Sequence, residues 1–184
     1  MNAHTAKQGM REYDTFSSPL GEMLVSVSDD ALDGLWFIDQ KYYPVAESWR
    51  HAPEHPVLRA THTEVEAYFA GELQAFTMTL APRGSAFQEQ VWQALLTIPY
   101  GELRSYGDIA VQVGLPRAHA RAVGTAVGRN PISIIVPCHR VIGQAGALTG
   151  YAGGLDRKRG LLAHERKGIA EDRPVFELVG TSAP

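Results

Sequence analysis

The sequence predicts an α+β protein, with a small antiparallel sheet and one helix in its first part and a mostly helical second part. Three observations support this prediction. Apolar and polar residues alternate over residues 13–40, which is typical of half-buried strands. Apolar residues recur at helical spacing after Gly84, and the stretch Ala81-Pro82-Arg83-Gly84 marks the change of period. We therefore expect two domains, residues 1–82 and residues 83–184.

The first part is expected to form a sheet covered by a helix. The alternating segment is interrupted by two turn signals, Pro19-Leu20-Gly21 and Asp29-Asp30, which predicts an antiparallel meander. Thr61 and Glu64 form a capping box that predicts a helix over residues 62–72, packed on the sheet through Val65, Tyr68 and Phe69. Residues 75–80, AFTMTL, alternate again and predict a further strand.

The second part carries the signals of a helix-turn-helix. Two capping boxes mark helix starts, Ser85 with Gln88 and Ser105 with Asp108. The first of these helices must stop before Pro99. Pro116 suits the first position of a fourth helix that runs to about Gly128. Two short helices joined by a tight turn predict a helix-turn-helix.

The fourth predicted helix has a slim surface, built from Ala120, Ala122, Gly124, Ala126 and Gly128, with Arg121 and Arg129 as its long side chains. Glycine costs about 1 kcal/mol relative to alanine inside a helix, so its two glycines need an explanation. One explanation is close packing against another helix. The other is that a slim helix enters a narrow groove: a DNA minor groove is about 6 Å wide and admits few bulky side chains.

Charge is divided unevenly along the chain. The net charge of the whole protein is −3, which by itself argues against a nucleic-acid partner. Residues 1–82, however, carry 5 basic and 12 acidic side chains, whereas residues 83–168 carry 11 basic and 5 acidic ones. A basic second part is compatible either with a polyanionic partner or with a solvated basic surface.

Composition limits the other classes of function. No apolar run approaches the roughly 20 residues that span a membrane, and the first ten residues lack the apolar middle of a secretory signal, so we expect no membrane partner and a cytoplasmic location. A single cysteine excludes an internal disulfide and a CxxC pair. The seven histidines lack metal-binding spacing, so we expect no metal.

That single cysteine, Cys138, lies between Pro137 and His139 in IIVPCHRVIG. The β-branched run PISIIV predicts a strand that gives way to a turn at the cysteine. One interpretation is a buried, inert thiol. The other is a reactive thiolate supported by His139 and by the charge of Arg140.

Adjacent side chains point in different directions, so a direct contact between Cys138 and His139 is not expected. His139 could instead act through one water, provided that a carboxylate orients its ring. Glu165, at the end of the helix LDRKRGLLAHE, is the candidate for this role. Asp156 competes with it, but it lies at the start of that helix, where capping is the alternative explanation.

The motifs NPISIIVPCHRVIG, LTGYAGGLDRK and LLAHE, preceded by IPYGELRSYGDIA and RAVGTAVGRN, together resemble one family. That family is the O6-alkylguanine-DNA alkyltransferases, also called methylated-DNA-protein-cysteine methyltransferases. The resemblance is strong over residues 84–167 and covers the first part only in outline. It implies a ribonuclease H-like first domain and a winged-helix-like second domain.

The resemblance also implies a reaction and its residues. A helix-turn-helix enters the minor groove of double-stranded DNA and turns an O6-alkylguanine out of the stack, with O4-alkylthymine as a second candidate substrate. A cysteine then takes the alkyl group irreversibly, without a cofactor, and the protein acts as a monomer.

Residue by residue, the resemblance makes Cys138 the acceptor, His139 its base and Glu165 the group that orients the base. Asn130 would brace the turn, and Tyr106 would donate a proton to the purine. Arg121 would fill the vacated place in the stack, beside the other expected DNA-binding residues Ala120, Ala122, Gly124 and Arg129. The expected pocket residues are Val141, Tyr151, Ala152 and Gly153.

Two other functions fit parts of the sequence. A DNA-binding module with a silent thiol would recognise lesions without ever gaining mass. A cysteine hydrolase would require an oxyanion hole and would turn over repeatedly. Incubation with a duplex that contains one O6-methylguanine, followed by intact-mass measurement, separates the three.

Overall fold

The computed structural model describes residues 10–171, in which the predicted α+β architecture is confirmed. Four strands, β1 (Glu12–Ser18), β2 (Gly21–Ser28), β3 (Ala31–Phe37) and β4 (Arg50–His51), form one sheet in the order β3-β2-β1-β4. The β1–β2 and β2–β3 pairs are antiparallel, as the meander predicted, and β4 runs parallel to β1. One continuous apolar core joins this sheet to the helices of the second part.

The helix over the sheet, α1 (Pro56–Ala70), starts six residues before the predicted start at residue 62. Its cap is His55, whose ring nitrogen accepts the backbone N–H of Val57, and proline occupies the first turn without loss of a needed donor. The capping box expected at Thr61 is therefore wrong. The Thr61 hydroxyl lies inside the helix and donates to the Val57 carbonyl at 2.8 Å.

The strand predicted over residues 75–80 is also wrong. This segment reaches the outer edge of β3 only near Leu80, where Leu32 N–H donates to the Thr79 carbonyl and Ala81 N–H donates to the Leu32 carbonyl. A single bridge forms because two segments share this edge of β3, and the second pairs with the strand three residues further along, at Leu35. That second segment leads to Cys138.

The second part contains α2 (Ala86–Leu96), α3 (Tyr106–Gln112) and α4 (Ala120–Gly128), and both predicted capping boxes are present. The helix-turn-helix of α3 and α4 is confirmed. Pro116 does not begin α4, however: a single 3₁₀ turn, Arg117–His119, lies between them. Trp92 of α2 donates its indole N–H to the Ala126 carbonyl, which fixes α4 against α2.

The segment before Cys138 is not the predicted strand. Leu35 of β3 pairs with Ile132 alone, through hydrogen bonds to Pro131 and Ser133, and the chain then turns. Ile134 is buried with φ +70°, a conformation that is strained for a β-branched residue by about 1–3 kcal/mol. The tight turn replaces the strand because Cys138 starts a 3₁₀ turn, Cys138–Arg140, that must face the helices.

The remaining elements close the second part. Strand β5 (Arg104–Ser105) pairs in parallel with β6 (Val141–Ile142), and a 3₁₀ turn, Gln144–Gly146, follows. The last helix, α5 (Leu155–Glu171), continues beyond Glu165, which therefore does not end its helix as expected. Within residues 10–171, no helix is long and apolar enough to cross a membrane.

Candidate active site

Cys138 lies at the bottom of a compact turn, only 5% exposed, and Asn130 holds that turn together. The Asn130 side-chain amide donates to the carbonyls of Ile132 and Val136 and to the Cys138 sulfur, at 3.2, 2.9 and 3.0 Å, and its oxygen accepts the Ile132 N–H. One buried side chain therefore fixes both ends of the turn and contacts the thiol. It lies two residues after the end of α4, so the position of the thiol depends on that helix.

His139 is fully buried and oriented by Glu165. Its Nε2 lies 2.7 Å from Glu165 Oε1. Its other nitrogen, Nδ1, is buried and has no hydrogen-bond partner within residues 10–171. The ring is therefore held at one nitrogen, and the other is free to exchange a proton.

Glu165 is the centre of a buried network. Arg140 donates to both of its carboxylate oxygens and also to the Ile98 carbonyl, while the Gly101 N–H donates to Oε2 at 2.9 Å. Tyr68, from α1 in the first part, donates its hydroxyl to Oε1 at 2.8 Å. Burial opposes ionisation of this carboxyl, but the hydrogen bonds and charges of His139 and Arg140 outweigh burial and hold the pKa of Glu165 well below its ordinary value.

The protonation states favour a neutral base beside a neutral thiol at rest. Burial lowers the pKa of His139, against the opposing effect of Glu165, so the imidazole is a free base at neutral pH. Burial likewise raises the pKa of the Cys138 thiol. The Asn130 hydrogen bond and the Lys158 charge act in the opposite direction and stabilise the thiolate when it forms.

Lys158, one turn into α5, is a buried cation near this thiol that the sequence analysis did not single out. Its ammonium group donates to the carbonyls of Val141 and Thr149, at 2.6 and 3.0 Å. Burial lowers the pKa of Lys158 to about 8, against the raising effect of Cys138. The sequence did contain a signal for this role. Lys158 lies three residues into a helix with an apolar stripe and seven residues before Glu165, but a lysine on a solvated face explained that position equally well.

The segment 143–154 forms one side of the site. Tyr106, at the start of α3, donates its hydroxyl to the Thr149 carbonyl at 3.0 Å and lies 3.3 Å from the Gly150 carbonyl. Burial raises the pKa of Tyr106, so it carries its proton at neutral pH. The Tyr106 hydroxyl, the donor that a bound base would need, is thus hydrogen-bonded to this segment.

The expected pocket residues lie around this segment at different depths. Val141 is fully buried, whereas Tyr151 is half-buried with a hydroxyl that has no hydrogen-bond partner among the described residues. Burial, followed by the nearby Cys138 charge, raises the pKa of Tyr151 well above its usual value. Ala152 lines an open cavity of about 290 Å³, and Gly153 packs between the rings of Tyr151 and Phe37.

The residues expected to contact DNA follow α4. Arg121, Ala122 and Arg129 are exposed and Ala120 is half-buried. A Cβ on Gly124 would make an ordinary 3.7 Å contact with the Tyr106 ring, and one on Gly128 would meet open space. Close helix packing therefore does not account for the two glycines. The other explanation, a slim helix that enters a narrow groove, stays a prediction.

Asp156 lies at the start of its helix, as the sequence analysis expected. It lies in the first turn of α5, with a side chain 99% exposed that pairs with Arg159 at 2.7 Å. It is therefore remote from the buried network of His139. Within residues 10–171, no group of three or more His, Cys, Asp or Glu side chains is arranged to hold a metal ion.

Comparison with known proteins gives consistent matches along the chain. The family described as "6-O-methylguanine DNA methyltransferase, DNA binding domain" matches residues 86–167, and its "ribonuclease-like domain" matches residues 12–82. A methylated-DNA–protein-cysteine methyltransferase from Mycolicibacterium paratuberculosis is 54% identical over 91% of this chain and 100% of its own length. One from Methanosarcina acetivorans is 51% identical over 83% of this chain and 97% of its own length.

Two solved structures are also similar to this chain. The crystal structure of Mycobacterium tuberculosis OGT in complex with DNA matches with a TM-score of 0.81 and 50% identity, over 85% of this chain and 94% of that one. The crystal structure of M. tuberculosis O6-methylguanine methyltransferase matches with a TM-score of 0.79 and 50% identity, over 86% of this chain and 94% of that one.

Proposed function

This chain belongs to the 6-O-methylguanine DNA methyltransferase family, and we propose that Cys138 is the residue that receives the alkyl group. Repair by this family transfers an alkyl group from DNA to a cysteine of the protein, and this sequence contains one cysteine. One observation supports this assignment above the others: the buried hydrogen bond between Glu165 and His139, the residue next to Cys138.

The proposed reaction starts with the thiol proton. His139 Nδ1 accepts that proton through a bridging water, while Glu165 stabilises the imidazolium that results. Lys158 and the Asn130 amide stabilise the thiolate. The sulfur then attacks the alkyl carbon, the bond from that carbon to guanine O6 breaks, and its electron pair passes into the purine.

Tyr106 completes the proton balance. Its hydroxyl turns from the carbonyls of the 143–154 segment to a ring nitrogen of the base and donates a proton, so that a neutral guanine leaves. The proton on His139 then returns to Tyr106 through solvent. One proton has left the thiol and one has reached the purine. The thioether on Cys138 is not hydrolysed, so each protein molecule acts once.

DNA binding follows from the family, and we place the contact at the minor groove. The slim, exposed face of α4 fits a narrow groove, with Arg121 inserted where the extruded base stood and Arg129 about two turns further along. Extrusion of a base costs a few kcal/mol, and the inserted Arg121 offsets part of that cost. Tyr151, Val141, Ala152 and Gly153 would surround the extruded base.

Three further expectations belong to this proposal. The first domain comprises residues 1–82 and the second residues 83–184, of which residues 172–184 lie outside the described part. One protomer is expected to bind one lesion. The cytoplasmic location stays a prediction of the sequence.

Intact-mass measurement after incubation with a duplex that contains one O6-methylguanine tests the proposal. The protein should gain one methyl group, mapped to Cys138, at a stoichiometry of one. The Cys138→Ala variant should gain nothing and should still bind the duplex, because α4 makes the DNA contacts. A mass gain in that variant, or none in the parent protein, would contradict the assignment.

A further inference from the structure

Two cations from different parts of the chain meet at one aromatic ring beside the site. The guanidinium carbon of Arg129, at the end of α4, lies 3.7 Å from the centre of the Tyr42 ring, and the ammonium nitrogen of Lys41 lies 4.9 Å from it. All three residues, here named the rim cluster, are exposed. Within residues 10–171, neither cation of the rim cluster pairs with a carboxylate.

The rim cluster borders the open cavity of about 290 Å³. On one side the cavity is lined by Gly124, Thr125 and Gly128 of α4, and on the other by Gly150, Tyr151 and Ala152. It therefore opens between the proposed DNA-binding face and the segment that covers Cys138. In the function proposed above, a nucleotide turned out of the duplex would pass this opening.

The first part of the chain holds the rim cluster in place. Lys41 N–H donates to the Ala152 carbonyl at 2.9 Å, and buried Gln40 accepts the Ser133 hydroxyl at 3.1 Å. Asp39 pairs with Arg157 of α5 at 2.7 Å. Tyr42 has φ +64°, which is uncommon for a tyrosine and turns its ring toward α4. Consecutive anchors and a strained residue indicate a fixed loop.

Resting on the function proposed above, we infer that Lys41 and Arg129 bind the phosphodiester beside the extruded nucleotide, with the Tyr42 ring in contact with both cations. Two unpaired cations at the edge of a nucleotide-sized opening match a phosphate, and the Tyr42 ring stabilises both by cation–π contact. The hydrogen bond and charge of Lys41, with the charge of Arg129, also lower the pKa of Tyr42, as expected where positive potential is concentrated. The first domain would then contribute directly to DNA recognition.

Salt-dependent binding tests this inference. Lys41→Ala should weaken binding to a lesion-containing duplex and reduce the slope of log K against log salt by about 1, the loss of one phosphate contact. Lys167→Ala removes the same charge from an exposed position on α5 and serves as the control. Tyr42→Phe should bind as the parent protein does, whereas Tyr42→Ala should bind several-fold more weakly.

Alkyl transfer from free O6-benzylguanine separates the two proposals. Lys41→Ala should react with the free base at the parental rate, since no phosphate is present. Equal affinities and salt slopes for Lys41→Ala, Lys167→Ala and the parent protein would overturn the rim assignment and leave Cys138 untouched. A parent protein that gains no methyl group from the O6-methylguanine duplex would instead overturn the proposed function.

A second inference rests on an independent contact. Tyr68 is fully buried in α1, and its hydroxyl donates to Glu165 Oε1, the same oxygen that binds His139. We infer that Tyr68 is a positioning residue that sets the proton affinity of His139 through Glu165. A donor on Oε1 withdraws negative charge from the bond to the imidazole, so its removal strengthens the pull on the imidazole proton. The charged and titratable groups around this pair are Cys138, Arg140, Lys158, His164, Tyr100 and Glu165.

The pH dependence of transfer from free O6-benzylguanine tests this role. In Tyr68→Phe the pKa of His139 should rise, so the limb of the rate profile that reports its deprotonation should move to higher pH. Thr61→Val is the matched control, because it removes another buried hydroxyl of α1 that contacts only the Val57 carbonyl. A Tyr68→Phe profile that coincides with that of Thr61→Val and the parent protein would make Tyr68 purely structural.

Discussion

The two sides of the site are built in opposite ways. The floor, formed by Asn130, Cys138, His139, Arg140 and Glu165, is buried and held by the hydrogen bonds of its own side chains. The wall, residues 143–154, is held through its own backbone carbonyls, which accept bonds from Tyr106, Lys158 and the Lys41 N–H. The floor thus depends on which side chains it contains, whereas the wall depends on donors that belong to other elements.

This difference has a functional consequence. The Glu165–His139 part of the proton relay is in place before any base arrives, so this part needs little reorganisation during the reaction. We expect the wall to make room for a base by exchanging a few carbonyl contacts. Changes to the floor should therefore affect stability and chemistry together, and changes to the wall should affect access.

Asn130→Ala should have the largest effect of the stability tests. It removes four hydrogen bonds and leaves the buried Ile132 N–H without its partner, at a cost of about 3 kcal/mol. Transfer from free O6-benzylguanine should slow as well, because the thiol loses a donor. Denaturant unfolding and single-turnover rates measure both. A loss of rate at parental stability would show that the floor is not held by this residue.

Alkylation of Cys138 should destabilise the protein by about 1–3 kcal/mol, the usual cost of adding bulk to a dense site. The added methyl would crowd Asn130, and the sulfur could no longer form a thiolate. Thermal unfolding of the fresh and methylated forms gives the difference, and hydrogen exchange should show the first opening over residues 138–154. An equal or higher melting temperature for the methylated form would mean that the floor has room for the product.

Lys158 links floor and wall, and its effect should appear in a defined pH window. Its pKa of about 8 lies below the ordinary 10.5. Between these values the unfolded chain holds a proton that the folded chain lacks, so this contribution to stability rises with pH from about 8 to 10.5. In a Cys138→Ser background, where no thiol titrates, stability should increase over this window with Lys158 present. With Lys158→Met added, that increase should disappear; identical pH dependence in both would contradict the assignment.

Tyr106→Phe should have the smallest effect on stability, within about 1 kcal/mol, since it removes one bond at the edge of the wall. Amide exchange over residues 147–151 should become faster, because the Thr149 carbonyl loses a donor. Transfer to Cys138 should nevertheless slow for the duplex and the free base alike. If amide exchange and alkyl transfer were both unchanged, Tyr106 would neither hold the wall nor donate the proton.

Local signals in the sequence determined the helices of the second part and the meander of the first. Ser85 with Gln88 and Ser105 with Asp108 predicted their helix starts because a capping box is satisfied within four residues. The family could be recognised from PCHR and its flanking motifs, because each motif is a contiguous stretch of sequence. The strand at residues 75–80 failed because alternation does not reveal whether a partner edge is free, and β3 shares its outer edge with residues 131–133.

Only the tertiary structure decided which distant side chains meet. Tyr68 reaches Glu165 across 97 residues, Lys41 and Arg129 converge on Tyr42, and Lys158 comes to lie near the thiol. None of these pairings leaves a local pattern, because each depends on how the sheet and the helices pack rather than on spacing along the chain. The same is true of Ile134, whose left-handed backbone no β-branched residue would adopt unless Asn130 and the edge of β3 fixed the turn around it.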